Sequence, residues 1–351
     1  MQNMKKKSLS AKKKIHNLIL KHLNNKDILK IYKEFKKPLN IKKRYAVAIS
    51  GGPDSLALAY LSKCFEIHNN TKFYYFIVDH KLRKESSKEA KKVLSILKKF
   101  QIKCKILTWR GNKPSSNIQS IARNKRYSLL TNECEKNRVH YLLLGHHIDD
   151  LYENFLLRLL RGSGLKGLTS MDKFSENRIK EIQILRPFIN VKKLELINIS
   201  KKVFGFFVKD PSNINENFKR IRIRNLIQKL EEEGLDKKKL KLTINNLKDS
   251  NKTIKFYVRN NIEQNSAFLE NKKTCILNKN FLQQPSEIIF RSLSDIMRKV
   301  GNKYYSARGK SISNLISKLK SQKLKKTTLG GCLIEKVNET VLISREKSLK
   351  S

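Results

Sequence analysis

Acidic residues are scarce in this chain. Its 351 residues hold 30 Asp and Glu against 77 Lys and Arg, a formal net charge of +47. Such an excess does not suit an enzyme that handles only small metabolites. It favours a polyanionic partner, because each phosphate neutralised releases counterions and adds salt-dependent affinity. Cysteine is sparse as well. Cys64, Cys104, Cys134, Cys275 and Cys332 are scattered without a C-x-x-C pair. That spacing argues against a disulfide framework or zinc cluster and fits a reducing, cytoplasmic setting. No apolar stretch approaches the roughly 20 residues that span a bilayer. The basic N-terminus does not read as a secretory leader, since His16 and Asn17 interrupt the apolar run from Ile15 to Leu20. Two common phosphate-binding signatures are missing too: the Gly-Lys-Ser/Thr ending of a Walker loop and the G-x-G-x-x-G dinucleotide pattern.

What is present is Ser50-Gly51-Gly52-Pro53-Asp54-Ser55, directly after the apolar run Tyr45-Ala46-Val47-Ala48-Ile49 and before Leu56-Ala57-Leu58-Ala59-Tyr60-Leu61. An apolar run stopped by a double glycine and followed by a second apolar segment reads as strand, tight loop, helix. Glycine lets the backbone approach a ligand closely. The helix behind it presents unpaired N–H groups and a positive dipole end, which together make an anion cradle. Ser50 and Ser55 can donate hydroxyls to phosphate oxygens, and Asp54 can hold a Mg²⁺ bound to pyrophosphate. A plain strand-to-helix turn capped by Asp or Ser is the simpler alternative.

Strands and helices then alternate. The strand candidates are Tyr45–Ile49, Phe73–Val78, Cys104–Leu107 and Tyr141–Leu144, with helices near 55–66, 84–100 and 115–137 between them and further helices within 8–38. Fully apolar strands alternating with helices predict an α/β fold, a doubly wound parallel sheet covered on both faces. In such sheets ligands bind at the carboxyl ends of the strands. The loop after the first strand, Asp79-His80 after the second and Gly145-His146-His147 after the fourth all fall there. Beyond about residue 236 the strand signal fades. Residues 236–300 are Lys- and Asn-rich with helical spacing at Ile288, Ile289, Leu293 and Ile296. Thr327–Ile334 and Thr340–Ile343 predict a β-hairpin. There is no internal repeat. The reading therefore divides the chain into a basic helical extension (1–40), a catalytic domain (41–235), a helical domain (236–300) and a small hairpin unit (301–351).

Further strings accompany the loop. Val78-Asp79-His80 precedes Leu82-Arg83 and Glu85-Ser86. Ile118-Gln119 leads to Ala122-Arg123 and Arg126-Tyr127, with Arg123 and Arg126 on one helical face. Leu144-Gly145-His146-His147-Ile148-Asp149-Asp150 with Glu153 opens another helix. Arg161-Gly162-Ser163-Gly164-Leu165-Lys166-Gly167-Leu168 is a basic glycine-rich loop, and Asp210-Pro211-Ser212-Asn213 is followed by Phe218, Arg220 and Ile223-Arg224. Taken singly, each has a plain structural reading: a helix cap, a solvated face, a linker.

The S-G-G-x-D-S string resembles the pyrophosphate loop of the N-type ATP pyrophosphatases, which cleave ATP between the α and β phosphates. The whole ordered set, over about residues 42–230, closely resembles the tRNA(Ile)-lysidine synthase family. The resemblance implies an adenine nucleotide alpha-hydrolase-like sheet, with ATP bound by Ser50, Gly51, Gly52, Pro53, Asp54, Ser55, Asp79, His80 and Gly145, and Mg²⁺ at Asp54. It implies adenylation of the C2 carbonyl of the wobble cytidine in the CAU anticodon of tRNA(Ile), then attack by the ε-amine of free L-lysine. Asp150 and Glu153 are the expected holders and deprotonators of the lysine, with Asp149 as a less favoured neighbour. Arg123 and Arg224 are expected to act on the target base, and Arg126, Arg161 and Arg220 on the RNA. Residues 236–300 are expected to touch tRNA as well. Neither a membrane nor a protein partner is indicated. Three positions depart from the family pattern: Lys81 where Gly is usual, Asn154 for Thr or Ser, and Ile221 for Asn. A tRNA thiolase of the same superfamily would need cysteines that are commonly paired, and none here is suitably spaced. A non-catalytic RNA-binding relative would be expected to have lost Asp54 or the acidic helix.

Overall fold

The structure is a computed structural model that describes residues 14–83, 85–111, 116, 118–174, 181–208, 219–269, 273–303, 306–321 and 325–346. Asp210-Pro211-Ser212-Asn213, Phe218 and most of the N-terminal Lys runs lie outside the described residues. Contacts divide the chain into two units, Met1–Ile244 and Asn245–Ser351, where the sequence suggested four stretches.

The first unit is built on five parallel strands: β1 (Tyr45–Ile49), β2 (Phe73–Asp79), β3 (Cys104–Thr108), β4 (Tyr141–Leu143) and β5 (Gln183–Leu185), in the order β3-β2-β1-β4-β5. Side chains alternate across β1. Tyr45, Val47 and Ile49 face one core, and Ala46 faces another that holds Phe76, Leu107, Leu130 and Leu142. The first core receives α1 (Lys26–Lys36), α2 (Pro53–Asn69), α3 (Ser86–Lys99) and α7 (Lys193–Phe204). The second receives α4 (Ile118–Lys136). Helices on both faces confirm the doubly wound arrangement. In helix α2 Leu56 through Leu61 are apolar on every side and fully buried, so its N-terminus is fixed by the core. Helices α5 (Ile148–Leu159), α6 (Leu165–Leu168) and α8 (Lys219–Glu232) complete this unit. Strand β5 went unpredicted because three residues carry no periodicity.

Helix α9 (Lys237–Asn265) runs across the division after Ile244. The second unit then holds β6 (Ser266–Leu269), β7 (Thr274–Leu277), α10 (Ser286–Val300), α11 (Gly309–Lys320), β8 (Lys326–Leu329), β9 (Cys332–Val337) and β10 (Thr340–Arg345). Its strands form an antiparallel sheet in the order β6-β7-β10-β9-β8. Cys275, Leu277, Ile334, Val341 and Ile343 from the sheet pack with Ile289, Leu293 and Ile296 of α10 and Leu315 and Leu319 of α11. The expected hairpin is present as β9–β10, inside a larger sheet. Two expectations are corrected. Residues 236–300 are not wholly helical, since β6 and β7 lie there. The predicted strand 327–334 is two strands, because Gly330 and Gly331 adopt φ of +63° and +75° and reverse the chain. No described helix is long and apolar enough to cross a membrane.

Candidate functional site

In the order β3-β2-β1-β4-β5 the winding reverses between β1 and β4, which opens a crevice beyond their carboxyl ends. The loop after β1 and the residues after β4 meet there. The loop is tied to itself: the Ser50 N–H donates to Ser55 Oγ at 3.1 Å, the Ser55 hydroxyl donates to Gly52 O at 2.9 Å, and the two serine hydroxyls lie 3.3 Å apart. Val208 N–H donates to Gly51 O at 2.9 Å, and Ser200 Oγ donates to Pro53 O at 2.6 Å. Gly51 has φ +84°, and a Cβ there would stand 2.8 Å from Val93 Cγ2. Pro53 opens α2 at its first turn, where its missing N–H costs nothing. Gly145 packs so closely that a Cβ would lie 3.0 Å from the Asp54 carbonyl. Any side chain there would push the exit of β4 away from the loop.

Asp54 meets the acidic start of α5 around one imidazole. His147 Nε2 is 3.7 Å from Asp54 Oδ2 and 3.5 Å from Asp150 Oδ2, while Nδ1 is 3.4 Å from Asp149 Oδ2. Asp150 Oδ2 also accepts from the His147 N–H at 3.0 Å and so caps α5. Burial pulls the His147 pKa down, but Asp149, Asp150 and Asp54 outweigh it and hold the ring above its ordinary value. Burial pushes Asp54 up to about 6, against the attraction of His147. Asp149 is held low by its bond to His147. One turn further along α5, Glu153 is only 3% exposed and receives Arg224 of α8, with Nε–Oε1 at 2.5 Å and Nη2–Oε2 at 3.5 Å. Burial raises the Glu153 pKa, although Arg224 opposes the shift.

A cationic group stands beside the acids. Arg123 lies over the Tyr127 ring at 5.1 Å and Arg126 at 5.9 Å. Burial and the neighbouring Arg123 and Arg220 lower the Arg126 pKa, and Arg220 also acts on Glu153. Arg161 lies on an exposed loop after α5. Asp79 spends its carboxylate on its own loop: Oδ1 accepts from Lys81 N at 3.0 Å and Ser86 Oγ at 2.8 Å, and Oδ2 from Ser87 Oγ at 2.6 Å. His80 stands edge-on to Trp109 at 6.2 Å with a buried Nδ1 that has no partner among the described residues. Of the departures from the family pattern, Asn154 donates to Ser170 Oγ at 3.4 Å, Ile221 packs into the core, and Lys81 takes a left-handed φ of +52°.

Sequence reasoning gave no role to His147, the hub of the acids, and overlooked Arg186. The available signal for Arg186 was a charged residue directly behind the apolar pair Ile184-Leu185, at a strand's carboxyl end, as Asp79 closes β2. For Mg²⁺ the donors fit. Asp54 Oδ1 is buried without a partner. Among the described residues no group of three or more His, Cys, Asp or Glu could hold a metal by itself. That suits an ion carried mainly by substrate phosphates and one carboxylate.

A family model described as a PP-loop domain matches residues 21–231. The tRNA(Ile)-lysidine synthase of Wolbachia pipientis wMel is 34% identical over 311 residues, covering 86% of this chain and 70% of that protein. That of Orientia tsutsugamushi strain Boryong is 33% identical over 314 residues, with the same 86% and 70% coverage. The chain belongs to the tRNA(Ile)-lysidine synthase family of PP-loop proteins. Among solved structures, the U34-tRNA thiolase NcsA from Methanococcus maripaludis matches with a TM-score of 0.52 at 18% identity, over 60% of this chain and 75% of that one, a likeness of fold.

Proposed function

We propose that this chain converts the wobble cytidine of a CAU-anticodon tRNA(Ile) to lysidine, in the cytoplasm, at the expense of ATP. In the first step the C2 carbonyl oxygen attacks the α-phosphorus and pyrophosphate leaves. In the second, the ε-amine of free lysine attacks C2, the C2–O bond breaks and AMP leaves, with the ammonium proton passing to a carboxylate. The observation that carries this reading is the meeting of a phosphate loop with the carboxylates of α5 around His147.

The geometry supports the following roles. The N-terminus of α2 faces developing phosphate charge with N–H donors that need no rearrangement, and the Ser50 and Ser55 hydroxyls can join them by turning away from Ser55 Oγ and Gly52 O. Asp54 would hold Mg²⁺, which when bound neutralises pyrophosphate charge. Asp149, Asp150 and Asp54 favour the protonated form of His147, and in that form the ring offsets their mutual repulsion. Asp150 and Glu153 lie on one face of α5 and attract the lysine ammonium. The raised pKa of Glu153 makes it a better proton acceptor than an exposed carboxylate. Arg123, Arg126 and Arg220 supply positive charge for the extracted nucleotide and its phosphates, and the Lys-rich second unit grips tRNA outside the anticodon. Thiolation is disfavoured, because burial pushes Cys64, Cys104 and Cys134 up to about 12 and leaves them poor nucleophiles. Incubation with labelled lysine, ATP and a CAU-anticodon tRNA(Ile) transcript tests the reading. Stable, ATP-dependent label in the RNA supports it, and label that never enters RNA refutes it.

A further inference from the structure

Arg186 follows β5 and is buried, yet no step above uses it. Its backbone and its guanidinium are both anchored to one segment: the Arg186 N–H donates to Lys173 O at 2.7 Å and Nη1 donates to Asp172 O at 2.9 Å. With both ends held, Nε–H is aimed at His146 Nδ1, 3.3 Å away. A guanidinium only donates. His146 Nδ1 must therefore accept, which excludes the imidazolium and the Nδ1–H tautomer and puts the one ring proton on Nε2.

We propose that Arg186 is a positioning residue that locks His146 as a neutral imidazole, whose Nε2–H donates to an oxygen of the reacting substrates, phosphoryl or base carbonyl. His146 is placed for this. It directly follows Gly145, whose backbone presses on the first turn of α2, and directly precedes His147 at the start of α5. The charged groups around it favour the same state. Asp150 on α5 attracts a second proton, but burial, Arg186 behind β5, and Arg123 and Arg126 on α4 oppose it and lower the pKa to about 3. A histidine in this state is a fixed donor across the physiological range, not a base.

The use of that donor rests on the lysidine reading; the tautomer does not, so the two can fail separately. In ¹⁵N-histidine-labelled full-length protein, with His146→Gln used for assignment, the His146 signals should show unprotonated Nδ1 and protonated Nε2 throughout about pH 5 to 8. In Arg186→Met the ring should titrate or exchange tautomers within that window. An Nδ1–H or imidazolium signal in the unaltered protein, or an unchanged ring in a folded Arg186→Met, overturns the lock. Two variants that keep Arg186 test the donor. Glutamine places an amide N–H near the Nε2 position, whereas asparagine does not reach it. His146→Asn should lose about 100-fold in kcat, the scale of one transition-state donor, while His146→Gln stays within about tenfold. Weakened ATP binding in His146→Asn would identify a phosphoryl acceptor, and weakened tRNA binding a base carbonyl. Equal activity in the two variants would refute the donor role.

Discussion

In the first unit, three buried polar atoms just beyond the strands lack a hydrogen-bond partner among the described residues: Asp54 Oδ1 behind β1, His80 Nδ1 behind β2 and His147 Nδ1 behind β4; Ser62 Oγ within α2 and Tyr75 OH within β2 lack one as well. The second unit treats its buried polar groups differently. Asn261 Nδ2 donates to Ser292 Oγ at 3.2 Å, Asn265 Nδ2 to Asn261 Oδ1 at 2.9 Å, and Arg345 Nε to Val300 O at the end of α10 at 2.8 Å. Among the described residues of that unit only Arg291 Nη2 is left over, on a guanidinium whose other nitrogens reach Glu287 and Asn251. An unmet buried polar group costs about 1–3 kcal/mol. Three of the first unit's five such atoms belong to titratable groups at its strand ends, where a ligand can meet them. The comparison predicts that changes at the strand ends can stabilise the protein while removing activity. Changes inside the second unit should do the reverse.

The largest effect is expected from Asp54→Asn. AMP formation should fall below detection while tRNA binding survives, because the loop positions phosphate and metal, not RNA. Stability should rise. Folding lifts Asp54 from its ordinary 3.8 to about 6, so the folded state binds the extra proton between those values and stability declines as pH rises through them. Above that window the ionised group costs about 3 kcal/mol, and asparagine removes the cost. Thermal melts should show the variant more stable at pH 8 and the gap closing by about pH 4. Normal turnover would break the assignment of the loop, and a destabilised variant at pH 8 would break the comparison.

Next come the two halves of the Glu153–Arg224 pair. Glu153→Gln should leave lysine-independent adenylation largely intact and slow lysine transfer about 100-fold, measured as labelled lysine entering RNA. If adenylation is lost as completely as in Asp54→Asn, the carboxylate serves ATP instead. Arg224→Ala strands a buried carboxylate and should cost about 3 kcal/mol near neutrality. Because burial already raises the Glu153 pKa, protonation relieves the stranded charge and the loss should shrink as pH falls.

Much of this was legible in the chain. Four of the five parallel strands were short runs bounded by clear breaks, and the carboxyl ends that carry the site were marked by the glycine, aspartate and histidine that follow them, whereas the switch point depends on the strand order. The acidic helix announced itself through Asp149, Asp150 and Glu153. What could not be read were contacts between distant segments: Arg224 closing on Glu153 from 71 residues away, and Arg186 reaching His146. The second unit was least legible. Its strands are four to six residues long and partly polar, as in Lys326–Leu329, so the alternation that marks a half-buried strand is weak.

For the second unit the expected effects are smaller and of opposite character. Asn261→Ala should cost about 1–2 kcal/mol, since it leaves Asn265 and Ser292 without their shared partner, and it should leave kcat unchanged. A chain ending at Ile244, checked for folding by circular dichroism, should bind ATP normally. It should bind tRNA about tenfold more weakly with a flatter salt dependence, because fewer phosphates are neutralised. Unchanged affinity and salt slope in a folded truncation would remove the second unit from RNA recognition.

The smallest effect tests strain at a strand end without touching charge at the reacting atoms. Lys81 holds φ +52°, a left-handed conformation unfavourable for a side chain, and does so to let its N–H reach Asp79 Oδ1 at 3.0 Å. Glycine takes that conformation freely, but it also gives the unfolded chain more freedom to lose. The first effect is about 1 kcal/mol and the second roughly half of it. Lys81→Gly should therefore stabilise the protein by about 0.5 kcal/mol, a rise in Tm of about 1–2 °C. The backbone bond to Asp79 and the loop built on Ser86 and Ser87 remain, so ATP affinity should not change. A melt combined with equilibrium dialysis of ATP decides between two uses of this residue. Higher Tm with unchanged ATP binding makes Lys81 a tolerated local strain. Higher Tm with several-fold weaker ATP binding would mean that its ammonium faces the nucleotide, and that strain at this strand end is kept for what the side chain holds.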